Sequence, residues 1–71
     1  MTEVRAEITA NVWQVPATVG NTVAEGDELV ILESMKMEIP VEAPSAGTIS
    51  AVRVKPDDQV TEGDVLVVID P

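Results

Sequence analysis

Apolar residues fall in short runs at strand spacing along this chain. Val, Ile and Thr dominate the runs, and Pro or Gly-Asp pairs break them at short intervals. The pattern predicts strands over 3–8, 11–17, 28–33, 38–42, 47–54 and 65–70, with short pieces near 21–23 and 58–60. No segment carries an apolar stripe at helical spacing. Leu29-Val30-Ile31-Leu32 and Val65-Leu66-Val67-Val68-Ile69 are continuous rather than alternating. That predicts strands covered on both faces in a thin, closed sandwich.

The pattern also repeats. Shifted by 37 residues, Val4–Ser34 falls on Val41–Pro71 without a gap. Val23-Ala24-Glu25-Gly26-Asp27-Glu28-Leu29-Val30 then lies on Val60-Thr61-Glu62-Gly63-Asp64-Val65-Leu66-Val67, with six of eight pairs identical. Two copies are too few for a solenoid, so the expectation is one quasi-two-fold domain over 1–71, its halves spanning about 4–34 and 41–71. The Glu-Gly-Asp segments predict matching turns in which Gly supplies a positive φ. A second matching pair is expected at Thr18-Val19-Gly20-Asn21 and Pro56-Asp57-Asp58-Gln59.

Composition narrows the function classes. Seventy-one residues with 45% apolar content form one small core. The lack of Cys removes disulfide and thiolate metal sites and fits a cytoplasmic protein. A net charge of −9 repels phosphate backbones and anionic membrane surfaces. The one aromatic residue, Trp13, cannot build a base-stacking platform. No apolar stretch reaches the roughly 20 residues of a membrane-spanning helix. The chain is expected to bind neither nucleic acid nor membrane and to be a monomer. With no His and no Cys, Ser34, Ser45 and Ser50 have no partner to activate them, so the chain is read as non-catalytic. Its Asp and Glu residues lack EF-hand spacing, so no metal site is expected. Trp13 corresponds to Ser50 in the repeat, a position not obliged to be buried, and is expected to pack partly against the sheet.

One segment stands apart. Glu33-Ser34-Met35-Lys36-Met37-Glu38-Ile39-Pro40 joins the two halves. Lys36, one of only four basic residues, lies between the strand ending near Glu33 and the one starting near Glu38, and so occupies a tight hairpin tip. Its counterpart in the repeat would lie beyond Pro71, so a single such tip is expected from the repeat. Thioethers are flexible and polarizable, and exposed Met35 and Met37 suit a surface that must fit another protein's groove.

The run Glu33-Ser34-Met35-Lys36-Met37-Glu38 resembles the biotin attachment motif of biotinyl domains, Glu-Ala/Ser-Met-Lys-Met. The resemblance extends from about Val4 to Asp70. Ala43-Pro44-Ser45-Ala46-Gly47-Thr48-Ile49 and Val60-Thr61-Glu62-Gly63-Asp64-Val65-Leu66 match two further family segments. It implies an all-β fold, a flattened eight-stranded barrel-sandwich of two four-stranded antiparallel sheets. It implies biotin attached covalently to Lys36 by a biotin protein ligase, with Met35, Met37, Glu33, Ser34 and Glu38 recognised around it. The arm would then carry a carboxyl group between the biotin carboxylase and carboxyltransferase components of a biotin-dependent carboxylase. Lipoyl carriers share the fold but usually lack the methionine pair, so lipoate is the lesser alternative, beside an unmodified interaction module. The first half departs from the family pattern at Ala6-Glu7-Ile8-Thr9-Ala10-Asn11-Val12, where Pro and Gly are missing and Ala10 stands at the position of Gly47. Neither a "thumb" insertion nor an Ala/Pro-rich linker is seen, which resembles a stand-alone attachment protein.

Overall fold

Eight strands form, in chain order β1 (Thr2–Arg5), β2 (Ala10–Gln14), β3 (Thr22–Val23), β4 (Glu28–Ser34), β5 (Met37–Glu42), β6 (Gly47–Val52), β7 (Gln59–Val60) and β8 (Val65–Asp70). They are those of a computed structural model that describes residues 1–71. One four-stranded sheet has the order β1-β8-β6-β3 and the other β5-β4-β2-β7. Every pairing is antiparallel. All fourteen buried residues are apolar, and no buried side-chain polar atom lacks a partner. The eight-stranded all-β sandwich implied by the sequence is therefore the fold, and no helix is present that could cross a membrane.

The repeat is visible in the backbone. Each sheet takes two strands from each half of the chain, so the halves are interleaved rather than side by side. Equivalent bonds tie both: Ala6 N–H donates to Asp64 O and Ala43 N–H to Asp27 O, each at 2.8 Å. The Glu-Gly-Asp turns match closely. Gly26 and Gly63 have φ of 93° and 95°. The carboxylates of Asp27 and Asp64 accept from Ala24 N–H and Thr61 N–H, each at 2.9 Å.

Bulges explain why Leu29-Val30 and Leu66-Val67 both turn inward, while in β8 Val68 is also buried on the opposite face, as strands covered on both sides predict. Glu28 pairs with Glu42 and Val30 with Val41, so Leu29 is an extra residue in β4. Likewise Val67 pairs with Val4 and Val65 with Arg5, so Leu66 is extra in β8. A bulge lets two successive side chains turn to the same side. Leu29-Val30 and Leu66-Val67 all belong to the core cluster for this reason. The outer faces stay open along much of each sheet. Ile31 is only half-buried and lies outside the core packing.

Several boundaries differ from the sequence reading. The strand expected over 47–54 ends at Val52, beyond which Arg53 N–H donates to Leu66 O at 2.8 Å. The strand expected over 3–8 ends at Arg5, because the Ala6 backbone bonds to the Asp64 and Gly63 turn instead of a ladder. The strand expected over 11–17 ends at Gln14. Pro16 has no N–H to continue the ladder, and it is Ala17 that donates to Leu29 O, at 3.1 Å. The second late turn is Lys55–Asp58 rather than 56–59, closed by Asp58 N–H to Lys55 O at 3.1 Å.

Gly47 is a packing requirement. A Cβ there would lie 2.5 Å from Ile69 Cγ2 and 2.6 Å from Asp70 O. In the first half Leu32, unbranched at Cβ, stands at the Ile69 position, so one of the two obstacles is missing and buried Ala10 fits. Gly47→Ala is expected to lower stability by about 2 kcal/mol or more through overpacking against backbone. Gly63→Ala, strained only through its φ of 95° with open space around it, is expected to cost roughly 1 kcal/mol. Urea denaturation of both variants checks the order, and the reverse order would refute the packing argument.

Candidate functional site

The β4–β5 hairpin pairs Leu32 with Ile39, Glu33 with Glu38 and Ser34 with Met37. Only Met35 and Lys36 are left for the turn. Their φ values, 52° and 65°, are both positive, the signature of a two-residue type I′ connection. Such turns match the right-handed twist of the strands they join, but they favour Asn and Gly. Met and Lys in the left-handed region cost of the order of 1–2 kcal/mol each. The ladder thus runs to the last residue before the turn, and the tip has no slack backbone.

Around this tip the side chains are exposed. Met35 is 90% and Met37 62% accessible, far beyond any role as core filler. Lys36 is exposed and makes neither a salt bridge nor a side-chain hydrogen bond; the one salt bridge in the molecule joins Arg5 to Glu3 at 2.6 Å. Ser34 is half-buried beneath the turn. Glu33 and Glu38, adjacent to the Met-Lys-Met run in sequence, do not pair with the lysine. They face each other across the two strands. The sequence brought these residues together by proximity along the chain, and register alone revealed that the two acids are opposed. What results is a free primary amine on a stiff support, with two polarizable apolar side chains beside it. That arrangement leaves the amine open to approach by another protein. No cluster of three or more potential metal ligands forms.

The chain matches the family model described as "Biotin-requiring enzyme" over residues 2–69. It is 51% identical over 67 residues to the "Biotinylated protein TB7.3 homolog" of Mycobacterium leprae, covering 94% of each chain. It is 44% identical over 63 residues to the "Biotin/lipoyl attachment protein" of Bacillus subtilis, covering 89% of this chain and 86% of that one. Among solved structures, the urea carboxylase of Kluyveromyces lactis superposes with a TM-score of 0.91 at 35% identity. That match covers 97% of this chain and 6% of the carboxylase.

The turn strain is measurable. Replacing Met35-Lys36 by Asn-Gly removes the unfavourable left-handed residues and is expected to raise stability by about 1 kcal/mol. A raised urea midpoint checks this, and an unchanged or lowered midpoint would show that the turn is relaxed as it stands.

Proposed function

Since the chain belongs to the biotin-requiring enzyme family, we propose that it is a biotin carrier and that Lys36 is its point of attachment. The observation that carries the residue assignment is the exposed, unpaired amine at the strained hairpin tip, flanked by Met35 and Met37. The residues present fit covalent biotin: an amide to the Lys36 Nζ needs a reachable amine and no binding cavity.

A biotin protein ligase would supply an activated biotinyl-adenylate. The Lys36 amine attacks its carbonyl carbon, an amide bond forms, and adenylate leaves. Forming the amide releases a proton from the amine nitrogen, and the ligase takes it up. Amide formation removes the lysine charge, as acetylation would. Biotin on Lys36 would supply a ureido nitrogen as the carboxyl-carrying group of a biotin-dependent carboxylase. The protein's own share is presentation. The fully laddered hairpin fixes where the arm starts, and tethering raises the local concentration of its end at each active site. Met35 and Met37 give partners an adaptable apolar contact. Glu33, Glu38 and the hydroxyl of Ser34 supply polar recognition around it, and the acids favour association rate and specificity over raw affinity.

Lys36→Arg keeps the charge and the fold but is expected to abolish labelling. Intact mass of the wild-type chain after incubation with ligase, ATP and biotin should rise by one biotinyl group, and the variant should show no increase and no streptavidin capture. A variant still captured by streptavidin would refute the assignment, and a lipoyl mass on wild-type protein from its native cells would replace biotin by lipoate.

A further inference from the structure

The repeat supplies an internal control for the outer faces of the two sheets. Core positions are conservative across the halves: Leu29 and Leu66, Val30 and Val67, Leu32 and Ile69, Val12 and Ile49. The outer faces are less so, differing at Trp13/Ser50 and Pro40/Glu3 while Ile31/Val68 is conservative. On the β5-β4-β2-β7 sheet, Gln14 pairs with Ile31 and Ile31 with Pro40, and Trp13 is the extra residue of a bulge in β2. Trp13 is 43% exposed and, like Ile31, lies outside the core packing. Together Trp13, Ile31 and Pro40 make an apolar band across three strands. The equivalent row on the other sheet is Ser50, Val68 and Glu3, with Val68 paired to both β1 and β6. That row is polar at both ends, and Val68 is only 5% exposed, its carbonyl accepting from Ser50 Oγ at 3.2 Å. One half of the molecule thus folds without an apolar band at this place, so the band is no requirement of the fold.

Charge breaks the symmetry in the same way. Glu33 is directly opposite Glu38, and Glu28 opposite Glu42. Like charges at directly opposed positions are destabilising. None of the four strands of this sheet contains Lys or Arg to offset them. Across the repeat the Glu28–Glu42 pair becomes Val65–Arg5, so this repulsion too is not imposed by the fold. An uncovered apolar band between two rows of unneutralised carboxylates is complementary to a cationic protein surface with an apolar recess.

The Ile31–Pro40 row and the Lys36 tip are parts of one hairpin, and Trp13 lies on β2, which pairs with β4 beside it. At about 3.3 Å per residue, the Ile31–Pro40 row lies roughly 13 Å from the turn. An enzyme that acts on the amine itself must bring its reacting centre within a lysine side chain's length of the tip, so its body comes against the hairpin. A carboxylase meets the finished arm at a greater distance. We propose that the outer face of the β5-β4-β2-β7 sheet is the docking surface for a basic surface of the biotin protein ligase. Trp13 is its apolar anchor, and the opposed glutamate pairs steer the approach. The proposal rests on Lys36 being the biotinylated residue.

The test is steady-state biotinylation of the apo protein by the biotin protein ligase of the same organism, at saturating ATP and biotin. Trp13→Ser installs the residue found at the equivalent position of the other half. It is expected to raise KM for the carrier about tenfold, the scale of a buried Trp contact, with kcat within about twofold. Glu28→Gln with Glu42→Gln is expected to raise KM severalfold at low salt and to flatten its salt dependence. Unchanged urea midpoints would confirm that neither change acts through unfolding. In 5-fluorotryptophan-labelled Lys36→Arg protein, the single fluorine resonance should shift or broaden when ligase is added. A wild-type KM in Trp13→Ser, or a fluorine resonance indifferent to ligase, would overturn the docking surface while leaving biotinylation of Lys36 intact. A wild-type chain that takes no biotin would overturn the carrier reading and the surface with it.

Discussion

Neither half of this chain can complete a sheet by itself, and everything else follows from that constraint. Each sheet draws two strands from each half, its central ladder lying within one half and its two outer ladders joining the halves, so neither sheet nor the apolar core is complete without both. The paired Glu-Gly-Asp turns tie the halves together by equivalent backbone bonds, Ala6 to Asp64 and Ala43 to Asp27. With no disulfide and no buried polar network, burial of a small set of Val, Leu, Ile and Ala side chains supplies the stability. The residues that join the halves are therefore held at both ends by strands that cannot shift independently.

That is why the β4–β5 hairpin can hold a strained tip. Left-handed Met35 and Lys36 would open in an isolated hairpin, which is marginally stable in water at best. Here β4 is also bonded to β2, and Leu29, Val30 and Leu32 anchor it in the core. The stability of the interleaved core is spent partly on keeping one amine at a fixed, exposed place. In a carrier the mobile part is the side-chain arm, and the backbone beneath it has to stay still.

Departures from the two-fold pattern are as informative as the pattern. Positions that face the core kept their character in both halves, because both sheets enclose the same apolar layer. Positions that face outward had no such constraint. There the two sheets diverged, toward Ser50, Val68 and Glu3 on one side and Trp13, Ile31 and Pro40 on the other. The rows differ at their ends, Trp13 against Ser50 and Pro40 against Glu3, while Ile31 and Val68 at their centres remain similar.

The strand at 65–70 was legible to the residue, and the one at 28–33 fell one residue short of its end at Ser34. Both are dense in β-branched and apolar residues that bury in place. Strand ends near Ala6 and Pro16 were overshot, since they depend on where backbone N–H groups find partners elsewhere in the molecule. The Leu29 bulge was misread as a strand covered on both faces, because an extra residue is defined only against the partner strand. By contrast β8, which buries Val68 outward as well as Leu66 and Val67 inward, is covered on both faces there. By itself, the sequence determined the all-β class, the repeat and the single Met-Lys-Met segment at its junction, all of which are local patterns of residue type. Only the tertiary structure decided that Glu28 faces Glu42 and that Trp13 shares their outer face. The Glu33–Glu38 pairing follows from the length of the Met35-Lys36 turn, whereas the Glu28–Glu42 register and the place of Trp13 depend on bulges that exist only against a partner strand.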